Sequence, residues 1–228
     1  MNNYIVVGSK PWNHRIYNEI IKNYQGKWHF IQLPEMLNID EISTINPRYV
    51  FFLHWSWKVP DELINKYECV CFHMTDVPYG RGGSPLQNLI IQGYQNTKLT
   101  ALRMTQELDA GAIYYQENLC LAGNAEEIYI RATYLSAQMI KYIIQNEPCP
   151  VEQKGEVTLF KRRKPAESEI PEMQSLQSLY DFIRMLDAKG YPHAYIQHQG
   201  FQYSFRRSAL YDGHIVADVV ITPLQKIQ

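Results

Sequence analysis

Short β-branched and aromatic runs alternate with helix-like stretches along the first two-thirds of the chain. Residues 4–7 form an apolar run closed by Gly8; a Ser-Lys-Pro turn then leads into a helical pattern at 13–24. Further strands are predicted at 28–32, 49–53 and 68–73, with a short helix at 60–67 between the last two. The run 49–53 is apolar throughout, as expected of a parallel strand covered on both faces. A Gly/Pro-rich loop follows at 77–85, then a helix at 86–93 and strands at 97–104 and 111–119. Residues 125–147 read as a long amphipathic helix with Ile128, Ala132, Leu135, Met139 and Tyr142 on one face, stopped by Pro148 and Pro150. After a basic segment at 160–165, the pattern predicts a helix at 176–186 and strands at 194–199, 202–207 and 215–221.

Strands alternating with helices imply an α/β fold. We expect a Rossmann-like, mostly parallel sheet flanked by helices over residues 1–150, and a small C-terminal α+β subdomain over 151–228. Hydrophobic residues make up 46% of the 228 and charged residues 20%, enough apolar content to bury a real core. The formal net charge of −1 offers no overall basic field for nucleic acid or anionic lipid, so neither is expected as a partner. No apolar run reaches transmembrane length and the N-terminus lacks signal-peptide character, which predicts a cytoplasmic protein. The 4 cysteines have no zinc-site spacing, so no metal is expected. Cys69 and Cys71 are expected to face apart on their strand, and the thiols to stay reduced. The glycines at 80, 82 and 83 and the lone Gly8 do not make a dinucleotide fingerprint; a Walker motif and a nucleophile elbow are also missing.

The chemistry concentrates in Cys71-Phe72-His73-Met74-Thr75-Asp76-Val77-Pro78-Tyr79-Gly80-Arg81-Gly82-Gly83-Ser84-Pro85, with Leu108-Asp109-Ala110-Gly111 downstream. His73 ends a buried strand, where open α/β sheets bind ligands, and imidazole accepts protons near neutral pH. Asp109 follows another strand and is placed to orient His73 or balance its charge. Arg81 reads either as a solvated loop charge or as a diphosphate ligand. Trp12 and Asn13 either contact substrate or begin the first helix. Trp55, Ser56 and Trp57 follow the third strand, with one tryptophan suited to the core and the other to a flat ring.

These blocks, in this order, resemble the 10-formyltetrahydrofolate-dependent formyltransferases, whose pattern is Asn-x-His, a Pro/Arg-Gly loop ending in Ser/Ala-Pro, then Leu-Asp-x-Gly. The resemblance implies folate-dependent N-formyl transfer with His73 as base and Asp109 in support. Cys71 stands where the family has an Asn that holds the formyl oxygen; a loop amide, Ser84 or Asn88 is then the candidate replacement donor. It places Trp55, Ser56, Trp57, Leu108 and Asp109 around 10-formyltetrahydrofolate, and Trp12, Asn13, Tyr79, Gly80, Arg81, Gly82, Gly83 and Ser84 around the acceptor. The longer motif looks closest to flagellar-sugar enzymes of pseudaminic acid synthesis and to formylation domains of nonribosomal peptide synthetases. The implied acceptor is therefore a sugar nucleotide, a UDP-linked 4-amino-4,6-dideoxy sugar carrying an acetamido group. The alternatives are an aminoacyl group on a carrier protein or tRNA, formyltetrahydrofolate hydrolysis, and a non-catalytic folate-binding protein. Relatives of this kind dimerise through the C-terminal part, so a homodimer is expected.

Overall fold

The structure is a computed structural model and describes residues 1–224. In chain order the elements are β1 (Asn3–Val7), α1 (Pro11–Glu19), β2 (Lys27–Ile31), α2 (Ile39–Ile45), β3 (Tyr49–Phe52), α3 (Asp61–Lys66) and β4 (Cys69–His73). They continue with β5 (Arg81–Gly82), α4 (Pro85–Ile91), β6 (Asn96–Arg103), β7 (Ile113–Cys120), α5 (Ala125–Asn146) and β8 (Leu159–Phe160). The chain then forms α6 (Leu176–Arg184), β9 (Tyr195–His198), β10 (Phe201–Tyr211) and β11 (His214–Pro223).

Six strands form the main sheet in the order β2-β1-β3-β4-β6-β7. Neighbours from β2 through β4 run parallel, and β6 pairs antiparallel with β4. The mostly parallel sheet flanked by helices, with a separate C-terminal antiparallel sheet, is the architecture the alternation predicted. Every residue of β3 is buried because helices cover both faces of a parallel sheet. The helix α2 was not foreseen. Its apolar Ile39, Ile42 and Ile45 repeat over only two turns, too short for a clear period, and its start is set by Asn38, whose side chain accepts from the Asp40 N–H.

By packing, the described residues form two compact units: Met1–Gly82, Thr97–Leu119 and Tyr129–Leu159 in the first, and Gly83–Asn96, Cys120–Ile128 and 160–224 in the second. They are interleaved in sequence rather than divided at residue 150. Within the second unit, β11-β10-β9 form an antiparallel sheet. Ser175 caps α6 by accepting from the Ser178 N–H, and Phe182 and Ile183 are buried. Buried Arg184 donates to Asp181 at 2.6 Å and to the carbonyls of Leu121 and Gly123 at 2.7 and 2.9 Å. Those acceptors, with the Asp181 charge among them, are what offset the burial of a guanidinium.

Cys69 and Cys71 do not face apart. Residues two apart on a strand share a face, and both pack on the cluster of Ile5, Val7, Val50, Phe52 and Leu63. Among the described residues, no helix is long and apolar enough to cross a membrane, and no group of at least three His, Cys, Asp or Glu side chains is placed to hold a metal.

Candidate active site

The parallel strands deliver His73 to the carboxyl end of β4, where its side chain is only 8% exposed. The ring is held between two groups. Its Nε2 lies 2.8 Å from the Gly80 carbonyl, and its Nδ1 lies 3.5 Å from Asp109 Oδ2. A carbonyl only accepts, so the Gly80 contact requires an Nε2–H. In the neutral ring that leaves Nδ1 as the lone-pair nitrogen, facing the carboxylate. A proton taken up at Nδ1 therefore arrives beside a negative charge.

Asp109 sits in the loop between β6 and β7 with φ 54°, a left-handed conformation that Asp tolerates better than most residues. Its Oδ2 accepts from the Gly82 N–H at 3.0 Å, so the glycine loop fixes the carboxylate that faces His73. Gly82 itself has φ 106°, which needs glycine. Two residues on, a Cβ at Gly111 would lie 1.9 Å from the Arg103 carbonyl oxygen. Gly111→Ala is therefore expected to push the β6–β7 connection apart and lower stability by about 3 kcal/mol, read as a fall in the midpoint of thermal unfolding.

Gln153 was missed by the sequence reading. Its amide N–H groups donate to the carbonyls of Asp109 and Gly111, both at 2.8 Å. Its Oε1 accepts from Arg81 Nε at 3.0 Å and Nη2 at 2.9 Å, while Arg81 Nη1 reaches Glu107 at 3.2 Å. Arg81 is thus not a free solvated charge: three of its five N–H donors are committed to Gln153 and Glu107 inside the first unit.

Cys71 shares the face of β4 with His73. Burial pushes its thiol well above the ordinary range, and the Asp109 charge pushes it further. It is therefore a protonated thiol, which excludes a thiolate role. Burial likewise raises Cys69, to about 12, with Glu68 adding to it. Alkylation of the native protein at pH 8 should modify exposed Cys120 and Cys149 and leave Cys69 and Cys71 intact until denaturation, as read by peptide mass. Modification of Cys71 in the native state would contradict this assignment.

Two of the expected acceptor contacts are turned inward. Asn13 is fully buried, its Oδ1 accepting from the Lys10 N–H at 3.0 Å. Trp12 is 7% exposed and stacks on Tyr129 at 5.9 Å between ring centroids. Their positions on α1, with Ile16, form its buried face. His54, at the end of β3, packs on Tyr129 at 4.2 Å; burial and the Lys10 charge lower its pKa to about 3, so it remains neutral. Trp55 and Trp57 lie 4.8 Å apart after β3, Trp57 half exposed and Trp55 packed on Phe52, with Ser56 between them. Leu108 is exposed and Tyr79 half-buried.

Gly83 and Ser84 belong to the second unit. The backbone of Arg162 passes so close that a Cβ at Gly83 would meet its Cα at 2.6 Å. Ser84 Oγ accepts from the Arg163 N–H at 3.0 Å. Asn88 donates to the carbonyls of Gly83, Ser84 and Lys161, so it is not an oxyanion donor.

The fold recurs in known proteins. A solved structure described as methionyl-tRNA formyltransferase from Clostridium thermocellum is 40% identical in sequence, with a TM-score of 0.95 over 98% of this chain and 100% of that one. The chain belongs to the formyltransferase family. Residues 165–222 of the chain also match the family model described as methionyl-tRNA formyltransferase, C-terminal domain. A 4-N formyltransferase from Francisella tularensis shares the fold at 18% identity and a TM-score of 0.69, over 99% of each chain. HypX from Aquifex aeolicus, solved with tetrahydrofolic acid, shares it at 16% identity and a TM-score of 0.72, over 90% of this chain and 37% of that one. The chain spans between 37% and 66% of the length of the first curated methionyl-tRNA formyltransferases it matches.

Proposed function

We propose that this chain is an N-formyltransferase that moves the formyl group of 10-formyltetrahydrofolate to the amine of a nucleotide-linked amino sugar. The favoured acceptor is a UDP-linked 4-amino-4,6-dideoxy-N-acetylhexosamine of the kind used in pseudaminic acid synthesis and flagellin glycosylation. The observation that carries the reading is the His73–Asp109 pair at 3.5 Å, locked by Gly80 and Gly82 at the carboxyl edge of the sheet.

When bound, 10-formyltetrahydrofolate supplies an activated formyl carbon. Half-exposed Trp57 beside Trp55, whose buried Nε1 has no acceptor, suits a flat heteroaromatic group carrying acceptors; with Ser56 and Leu108 these are the residues expected to hold it. His73 Nδ1 accepts the proton that the attacking amine sheds, and Asp109 balances the imidazolium. The protonated Cys71 thiol takes the position of the family Asn, as a weaker donor. The exposed Val216, Val219, Val220 and Ile221 on the edge strand β11 support a homodimer through the C-terminal sheet, to be tested by sedimentation.

A second reading keeps the chemistry and changes the acceptor to methionyl-tRNA. It is favoured by the C-terminal match at 165–222 and by the name of the 40%-identical relative, so the net charge of −1 does not dispose of nucleic acid as a partner. The deciding experiment incubates the protein and 10-formyltetrahydrofolate with UDP-4-amino sugars, with methionyl-tRNA, or with neither, and measures tetrahydrofolate release and product mass. Formylation of the sugar nucleotide alone supports the first reading. Formylation of methionyl-tRNA alone replaces it with the second, and release without any acceptor makes the protein a hydrolase. Folate binding without turnover would leave a binding protein.

A further inference from the structure

Asp109 has to hold a left-handed backbone conformation and aim one carboxylate oxygen at both the Gly82 N–H and His73 Nδ1. The two residues after it, Ala110 and Gly111, have no polar side chain to hold the carboxylate, although Gly111 packs closely on the Arg103 carbonyl. What enforces it comes from elsewhere in the first unit. The segment after α5 returns beside β7, with Val151 and Ile113 exchanging backbone hydrogen bonds at 2.8 and 2.9 Å. It continues along the glycine loop, where the Thr158 N–H donates to the Pro78 carbonyl at 3.1 Å and the Arg81 N–H to the Thr158 carbonyl at 3.0 Å.

Gln153 lies between these two anchors. Its two N–H donors take the carbonyls on either side of Ala110, and its oxygen takes two donors from Arg81. Every hydrogen-bonding direction of the amide is used to tie the turn carrying Asp109 to the loop carrying Gly80 and Gly82. The partners of both oxygen and nitrogen also define the amide orientation, because a flipped amide would set its oxygen against two carbonyls. Arg81 in turn is held by Glu107 in the same loop as Asp109.

We propose that Gln153, anchored by Arg81, is the positioning residue that sets the Asp109–His73 register and hence the rate of the proton transfer. The proposal rests on the reading of His73 and Asp109 as the proton-transfer pair. Gln153 touches neither reacting group itself; it acts through Asp109. Gln153→Glu keeps an acceptor for Arg81 but replaces the N–H pair with an oxygen facing two carbonyls. It therefore separates the clamp on the turn from the anchor on Arg81.

The test measures kcat and KM with 10-formyltetrahydrofolate and a UDP-4-amino-4,6-dideoxy-N-acetylhexosamine for Gln153→Ala, Gln153→Glu, Asp109→Asn and the Gln153→Ala/Asp109→Asn double variant, with crystal structures of the two Gln153 variants. The expected result is a fall in kcat of about 10- to 100-fold for both Gln153 variants with little change in either KM. In the Asp109→Asn background Gln153→Ala should cost almost nothing more, because the group it positions is already disabled. The variant crystals should show the Asp109 carboxylate displaced from His73. Wild-type kcat in both variants, losses that multiply with Asp109→Asn, or an undisplaced carboxylate would overturn the proposal. If Asp109→Asn turns over like wild type while the carboxylate is displaced in Gln153→Ala, the clamp stands and the proton-transfer reading falls. If the wild type does not use this acceptor, the crystals alone decide the clamp.

Discussion

Replacing His73 with alanine should lower kcat for formyl transfer by about 1,000-fold, within the range of a lost general base. The expectation follows from where the nitrogens point. Nε2 is committed to the Gly80 carbonyl at 2.8 Å, so only Nδ1 is left to take a proton, and Asp109 is the carboxylate that lies beside it. Removing the ring removes the proton acceptor together with the partner of the Asp109 charge. The change is a truncation at a strand end, and the neighbouring backbone pairing of β4 with β6 does not need the imidazole, so the fold should survive. Steady-state kinetics with circular dichroism as a control checks both halves. Turnover within a few-fold of wild type would remove His73 from the chemistry.

Asp109→Asn should lower kcat by about 100-fold or more with the fold intact, the cost of leaving an imidazolium without its counter-charge. The substitution is close to isosteric. Its side-chain oxygen can still accept from the Gly82 N–H, which Asp109 Oδ2 does at 3.0 Å, and Asn tolerates the left-handed backbone as well as Asp does. The charge is therefore what changes. Restored activity in Asp109→Glu would be unexpected, because a longer side chain on the same turn cannot keep both the Gly82 and His73 contacts. If Asp109→Asn retains wild-type kcat, His73 works without a counter-charge and the pair is structural.

Much of this molecule was legible in its sequence, for local reasons. The strands at 4–7, 49–53 and 68–73 are apolar runs bounded by turn residues, and each is a strand within a residue or two of its expected limits. The helix at 125–147 has a long enough apolar face for its period to show, and it forms over Ala125–Asn146. His73 and Asp109 were found because each ends or follows a predicted strand and carries its neighbours in a recognisable order. That they lie together, with His73 Nδ1 3.5 Å from Asp109 Oδ2, is something only the tertiary structure shows.

The misreadings also have a common origin. Trp12 and Asn13 follow the first strand, a position that often faces a ligand, but the rotation of α1 turns both inward with Ile16. Arg81 was read by its charge, whereas its role is set by Gln153 and Glu107, 72 and 26 residues away. Gln153 itself carried no signal, since a polar residue after a helix-ending proline pair looks like any loop position. Its partners are backbone carbonyls 44 and 42 residues distant, and carbonyls are the same in every residue. The sequence alone therefore determined the alternation of strands and helices, the buried central strands and the two residues proposed for proton transfer, because local pattern and chemistry specify them. The tertiary structure decided which ring nitrogen is available, which charges are already spent and what holds Asp109 in place. Those depend on hydrogen bonds between segments far apart in the chain, and residue identity alone does not encode their directions.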